Sequence, residues 1–414
     1  MKEFFLCAWR DARECIYRGG VVVYITLFFI AVMLAYSLQP FGEQQYSYLA
    51  QSFLHGKLYF LESPGWWGDA VAFGGKYYWP LGPLPAILLM PFVLLFSFFG
   101  AFFYQGYAIF FITLIILLLW YRIVQLCGFS KDDARYAAFA FCFGSSYLMV
   151  ALWQRSWFFA HAAVILLLSC ALFEYLTKRR YWLIGVLMAA VAMTRMTAGV
   201  GIIFFIIDIL FLSSAQWSDK RRSLTALLAP LGVAGVLLAG YNAARFGSVF
   251  EQGYALQILM IDAIRKARDY GLFSLIHVPA NLYYMFLAPP LPIIRDASTF
   301  VLRFPYIVPN PLGMSIFLVS PYLLTLFFQR LKDRLSWALL VTCGVVSAPL
   351  MLYYATGYFQ FGYRYSLDFF PFLFLLFVHQ YRKKSSTFSR GLRFVIIASA
   401  LVNLFLFLAL IYTQ

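Results

Sequence analysis

Residues 41–85 read FGEQQYSYLAQSFLHGKLYFLESPGWWGDAVAFGGKYYWPLGPLP, and the rest of the chain is best understood from there. The stretch follows the first long apolar run, Val21 to Leu38. It brings carboxylates (Glu43, Glu62, Asp69), a histidine (His55), aromatic residues and glycines into a chain that is otherwise oily. A structured polar loop over 39–85, directly after a hydrophobic helix, points to a site at a membrane surface.

Outward from that loop the sequence is overwhelmingly apolar. Of 414 residues, 63% are hydrophobic and 12% charged, and mean hydropathy is +0.79. A soluble domain carries about 25% charged residues. Apolar runs fall at 21–38, 83–99, 102–121, 134–152, 158–177, 181–197, 199–213, 224–242, 312–328, 335–354, 366–380 and 394–412. Many approach the ~20 residues that cross about 30 Å of hydrocarbon. The expected fold is an all-α integral membrane protein: one polytopic domain of 11–12 hydrophobic helices, with interfacial helices in two long outer loops.

The net charge of +15 resides mostly in short clusters between apolar runs: Lys178-Arg179-Arg180, Lys220-Arg221-Arg222, Arg330 to Arg334, and Arg382-Lys383-Lys384 with Arg390 and Arg393. That is the pattern of cytoplasmic loops, not of a nucleic-acid footprint. Lys2, Arg10, Arg13 and Arg18 precede the first run, which reads as a retained signal anchor, so the N-terminus is expected in the cytoplasm and loop 39–85 outside. The later clusters all share one side only if the number of crossings is odd. One segment before residue 178 is therefore expected to be re-entrant or half-spanning, with 137–146 and the proline-rich start of 83–99 as the candidates.

Six scattered cysteines with no CxxC pair indicate neither a disulfide framework nor a zinc site. A phosphate-binding glycine loop is absent, which argues against cytosolic nucleotide chemistry. No internal repeat is evident, which argues against an inverted-repeat transporter.

The second long loop, 245–311, carries Glu251, Asp262, Asp269, His277 and proline clusters at 288–292 and 305–311. Both loops show helical periodicity. Tyr46, Leu49, Ala50, Phe53 and Leu54 share one face in the first; Tyr254, Ile258, Ile261 and Ile264 share one in the second, opposite Asp262, Arg265, Lys266 and Asp269. Amphipathic helices of this kind lie in the headgroup plane.

With only 17 acidic residues, candidate bases can be found by elimination. Those expected outside are Glu43, Glu62, Asp69, Glu251, Asp262, Asp269 and Asp296, with Asp368 at a helix start. A carboxylate base needs partial desolvation and a fixed position. Glu43, at the outer end of the first helix, and Asp69, between Trp66-Trp67 and Gly74-Gly75, meet that need best; either could equally be a loop or cap residue.

Arg155, Arg195, Arg245, Arg303 and Arg364 fall at outer helix ends, and a guanidinium is a natural phosphate clamp. Arg195 lies in an apolar run, where a central arginine costs about 2.5–3.5 kcal/mol. It needs a partner or a water-filled cavity; the alternatives to a phosphate contact are a snorkelling helix-end arginine or a pair with Asp208 on the next segment. Arg364 is flanked by Tyr363 and Tyr365, and the alternative to its phosphate contact is a helix pair with Asp368 one turn on. The histidines His55, His161, His277 and His379 show no metal-ligand spacing. Glu43 and Asp69 could hold a divalent cation, though no motif points to one.

Several strings resemble bacterial polytopic glycosyltransferases of the GT-C superfamily: YLAQSFLHGKL (48–58), GDAVAFGGKYYWPLGPLPAILLMPF (68–92), AAVAMTRMTAG (189–199), NAARFGSVFEQGY (242–254) and FGYRYSLDFFPFL (361–373). The resemblance implies an enzyme of the bacterial inner membrane whose active face is periplasmic or extracellular. Such enzymes pass a sugar from a polyprenyl-phosphate donor to a lipid, glycan or protein acceptor. An acid in the first loop would act as general base with inversion, and arginines would steady the departing phosphate. Asp69 and Glu43 would be the catalytic candidates. Arg364, Arg195, Arg245, Tyr365, His55, Glu251, Tyr254 and His161 would contact substrate. The family often carries an acid directly before the tyrosine of its first interfacial helix; here those positions hold Gln44, Gln45 and Ser47, and the nearest acid is Glu43. Glu43 acts one step earlier, Asp69 acts instead, or the base is lost. The rival expectations are a non-enzymatic binder or transporter of lipid-linked glycans, and an O-antigen ligase- or polymerase-like protein using a histidine and arginines.

Overall fold

The computed structural model of the chain describes residues 20–40, 43–62, 68–296 and 298–413. Lys2, Arg10, Arg13, Arg18, Cys7, Cys15 and the Trp66-Trp67 pair lie outside the described residues.

In chain order the helices and strands begin with α1 (Val21–Ser37), α2 (Gln45–Leu54), a hairpin of β1 (Val71–Phe73) and β2 (Lys76–Tyr78), α3 (Leu84–Ser97) and α4 (Gln105–Leu126). Next come α5 (Lys131–Phe143), α6 (Tyr147–Leu152), α7 (Ser156–Thr177), α8 (Tyr181–Thr194), α9 (Met196–Leu212) and α10 (Trp217–Phe246). The second loop holds α11 (Asp262–Arg268), α12 (Val278–Phe286) and a hairpin of β3 (Leu291–Asp296) and β4 (Val301–Val308). The chain then forms α13 (Ile316–Val319), α14 (Arg334–Leu352), α15 (Phe370–Lys384) and α16 (Arg390–Tyr412). The protein is an all-α integral membrane protein: α4, α7, α10, α14 and α16 are long and apolar enough to cross a bilayer, and shorter apolar helices pack among them.

Of these five, α7 is the most buried and α10 the least. Helix α10, about 45 Å long at 1.5 Å per residue, buries only five side chains, among them Asn242, Arg245 and Phe246 in its last turns. Its apolar flanks suit lipid, and its end belongs to the protein interior.

Several expected spans are broken, each for a local reason. The run 134–152 divides at 144–146, where Ser145 Oγ donates to the Phe141 carbonyl and accepts from Tyr147 N–H, replacing helix bonds. Helix α9 passes from α through 3-10 and back to α before a π turn at Asp208–Leu212. The run 312–328 becomes α13 followed by a 3-10 stretch from Pro321 to Phe328. The run 366–380 opens with a 3-10 turn, Arg364–Asp368, before α15. Helix α3, with 14 residues, covers about 21 Å and is shorter than the hydrocarbon core.

The second loop also departs from expectation. No helix joins Tyr254 to Ile264: Tyr254 sits in a 3-10 turn, 257–261 is extended, and only Asp262–Arg268 is helical. The extended part is held by the first loop, as described below. The proline-rich segment forms the β3–β4 hairpin, which periodicity did not reveal. Pro292 and Pro305 are tolerated because each strand of a two-stranded ribbon has a free edge.

The basic clusters gather at one end of the bundle. There Glu174 takes Arg180 through Nε (2.9 Å) and Nη2 (2.8 Å), Asp133 takes Arg393 (2.8 Å), and Asp333 caps α14 while accepting from Lys383 and His379. The starts of α7 and α15 and the ends of α8, α10 and α14 meet at the other end, around the two long loops.

Candidate functional site

The β1–β2 hairpin turns through Gly74 and Gly75, both at positive φ (57° and 73°), the type I′ geometry that only glycine adopts freely. Its first strand is zipped to the second loop: Asp69 N–H donates to the Ile258 carbonyl, Ile258 N–H donates to the Ala70 carbonyl (both 2.8 Å), and Val71 bridges Gln257. Asp69 is thereby held at φ 67°, a left-handed conformation that aspartate tolerates better than most residues. Its Oδ2 accepts from Trp157 Nε1 (2.9 Å) and its Oδ1 from Gln257 Nε2 (3.2 Å). Strained backbone with both carboxylate oxygens oriented is the kind of arrangement that clusters at functional sites.

Asp69 lines a cavity of about 390 Å³ together with Glu43, Arg155, Trp157, Arg364 and Tyr365. Glu43 Oε1 lies 3.2 Å from Arg155 Nη1, and that guanidinium stacks over Trp153 and Phe359, 5.0 Å from each ring centre. Burial pushes the carboxyl pKa values of Asp69 and Glu43 above their ordinary range, opposed in both by Arg155 and Arg364. Arg364 donates through Nη1 to the Tyr358 carbonyl (3.1 Å) and sits over the Phe158 and Tyr365 rings, while its Nε has no partner. Among the described residues no carboxylate lies within 4.0 Å of it.

The arginine pairings therefore differ from both pairings that the sequence offers as alternatives. Arg195, not Arg364, takes Asp368, in a two-pronged contact (Nε to Oδ1 2.8 Å, Nη2 to Oδ2 3.0 Å) that Thr197 Oγ1 completes. Asp208, the alternative partner offered for Arg195, accepts instead from the Tyr175 and Tyr181 hydroxyls (2.8 Å each). Sequence neighbours one turn apart were separated because the 3-10 turn at 364–368 directs them to different partners.

A second cavity of about 490 Å³ adjoins the first, with Trp157, Tyr353 and Tyr365 common to both. Arg195, Arg245, Glu251 and Tyr254 line it. The Tyr365 ring lies between two guanidiniums, 5.6 Å from Arg195 and 5.3 Å from Arg364. The remaining histidines sit elsewhere. His161 is fully buried, its Nδ1 3.5 Å from Asp368 Oδ1, and lines neither cavity. His55 is exposed at the end of α2 with Nδ1 2.9 Å from the Gln51 carbonyl oxygen. His277 contacts the Gly271 carbonyl, and Arg303 is exposed on β4.

The positions where the resembled family places its acid have a different task here. Gln44 Oε1 accepts from Gln105 N–H (2.7 Å) and Nε2 (3.1 Å), and its own Nε2 donates to the Gln154 carbonyl (3.2 Å). Gln45 Oε1 accepts from Ser156 Oγ (2.6 Å). This buried network ties the first loop to the starts of α4 and α7, so the side chains are structural amides. Trp157, Gln257 and Tyr353 are the residues that sequence reasoning missed. Trp157 alone left a signal, in the polar QRSW run between two apolar stretches. For a divalent cation the donor set is thin: among the described residues no three His, Cys, Asp or Glu side chains converge.

No family model and no curated protein matches this chain. Among solved structures it is similar to the apo oligosaccharyltransferase of Archaeoglobus fulgidus, with a TM-score of 0.48 and 13% identity over 96% of this chain and 56% of that one. The chain thus spans little more than half the length of that enzyme, and the roles below are argued from its own residues.

Proposed function

We propose that the protein is a membrane glycosyltransferase of the bacterial inner membrane, acting on the face away from the cytoplasm. Its donor is a polyprenyl-phosphate-linked sugar and its acceptor a hydroxyl of a lipid, glycan or protein. What supports this most is one juxtaposition: an oriented carboxylate with a raised pKa, Asp69, and an arginine that no carboxylate among the described residues contacts within 4.0 Å, Arg364, line the same cavity.

In this reading the Asp69 carboxylate takes the proton of the acceptor hydroxyl as that oxygen bonds to the anomeric carbon. The bond from that carbon to the phosphate oxygen breaks on the opposite face, with inversion, and the electron pair leaves on the lipid phosphate. Arg364 stabilises the developing charge, where a partly water-excluded site makes the interaction stronger. Trp157 and Gln257 hold the base. Glu43 balances Arg155 and is the less free of the two carboxylates, because a cation 3.2 Å away lowers its basicity. Tyr365 and Tyr353 form the wall against which the sugar would lie.

The test is full-length protein in liposomes with a synthetic polyprenyl-phosphate donor carrying labelled sugar. Label should leave the donor with time, and an Asp69→Asn, Glu43→Gln double variant should abolish the release. Donor that binds but is never consumed would mean a binder or transporter. Unchanged release by the double variant would reject both bases.

A further inference from the structure

Helix α10 ends NAARF, and Arg245 in that last turn is 4% exposed. Its Nη1 donates to the Trp79 carbonyl (2.7 Å) and its Nη2 to Asn242 Oδ1 (2.8 Å), while Nε has no partner. The guanidinium stacks 3.9 Å from the Tyr241 ring centre and 4.5 Å from that of Phe246. Every one of these partners is neutral, and among the described residues no carboxylate lies within 4.0 Å. A buried cation with no carboxylate in direct contact is costly unless something supplies an anion there. Arg195, in the same cavity wall, has Asp368 in a two-pronged contact; Arg245 has only the more distant charge of Glu251, which shares the cavity wall and accepts from Gly253 N–H.

The chamber's other features define what could fill it. Glu251 also lines it, with Oε1 accepting from Gly253 N–H, and it is the one carboxylate among the lining residues. Leu238 of α10 and Leu350 of α14 face the space, and the lining residues Phe250, Met196 and Phe273 are 90%, 55% and 59% exposed. An anionic head on Arg245 would therefore continue into apolar chain between the ends of α10 and α14.

We propose that the 490 Å³ chamber is an anion site of its own, in which Arg245 binds the phosphate of a membrane lipid. Naming it the second such site rests on the reading of Arg364 given above; the site itself does not. A protein with both would bring two phosphate-bearing lipids to either side of Trp157, Tyr353 and Tyr365, so the acceptor would be a phosphate-bearing lipid.

The experiment is equilibrium binding, without turnover, of dihexanoyl phosphatidate to the full chain in neutral detergent. Dihexanoylglycerol and inorganic phosphate serve as the comparison ligands. Wild-type protein should bind two phosphatidates and no dihexanoylglycerol. Arg245→Gln should weaken one site about 10- to 100-fold, the scale of lost charge-assisted hydrogen bonds. Arg364→Gln should weaken the other. Glu251→Gln, which keeps an acceptor for Gly253 N–H, should tighten the Arg245 site roughly two- to fivefold by removing a nearby like charge. Wild-type binding by both Arg245→Gln and Glu251→Gln would overturn the proposal, and inorganic phosphate binding as tightly as phosphatidate would overturn the lipid assignment. A missing transfer activity would leave these binding results standing, so the two readings fail separately.

Discussion

Arg364 and Asp368 share one turn of 3-10 helix, yet they belong to two arginine–carboxylate clusters built on opposite plans. Around Asp368 the two carboxylate oxygens are met by Arg195 and Thr197, with His161 behind, and the carboxylate is fully shielded from solvent. Around Asp69 the carboxylate is half-buried, each oxygen accepts one N–H, and a cavity opens beside it with Arg364 unpaired on its wall. A carboxylate pinned by a two-pronged guanidinium has little reason to take a proton and serves to fix chain segments. A carboxylate held in place but left with free lone pairs, and raised in pKa by burial, can take one. Composition alone would rank the two clusters alike; saturation separates them.

The comparison can be broken most forcefully at Asp368. Asp368→Asn leaves Arg195 buried without its counter-charge and should destabilise the protein by about 3–5 kcal/mol, read as a lower unfolding midpoint in detergent. An Asp368→Leu, Arg195→Met double variant should recover most of that loss. Arg364→Gln should do the reverse: transfer falls about 10²- to 10³-fold, as for loss of one charge-stabilising donor, while the melting temperature holds or rises. A smaller effect is expected at the buried amides. Gln44→Glu puts the resembled family's acid one position closer to Tyr46, but the new side chain cannot donate to the Gln154 carbonyl. Stability should drop by about 1–3 kcal/mol with no gain in labelled-sugar transfer.

Much of the architecture is legible in the sequence. The apolar runs located the helices, and the five-residue apolar face from Tyr46 to Leu54 located α2. Asp69 and the Gly74-Gly75 pair marked the turn beside the cavity, but not the strands on either side of it. What was hidden was long-range. The ion pairs that the sequence offers, Arg364 with Asp368 and Arg195 with Asp208, join only near neighbours, because periodicity knows nothing else. The true partners, Arg195 and Asp368, are 173 residues apart. The helix expected over 254–264 failed for a related reason. Residues 257 and 258 give their backbone bonds to Asp69, Ala70 and Val71, and a strand-like pairing with a distant loop overrode local amphipathicity. Trp157 and Gln257 matter only because that pairing brings them to Asp69.

The most direct measurement is Asp69→Asn, assayed for transfer and for thermal stability in the same preparation. Because burial raises the Asp69 pKa, the folded state binds more protons than the unfolded one between the ordinary aspartate pKa, about 3.9, and the raised value. Stability therefore falls as pH rises through that window, and the charged carboxylate remains a cost above it. Replacing it by the neutral amide should leave the melting temperature at pH 7 equal or higher. Gln257, whose Oε1 has no partner, can turn to accept from the new amide. Transfer should fall about 10²- to 10⁴-fold, the range for loss of a general base, and the wild-type acid limb, which rises with pH through the raised pKa, should disappear. A variant that melts early yet transfers at the wild-type rate per folded molecule would contradict the assignment of Asp69 as the base.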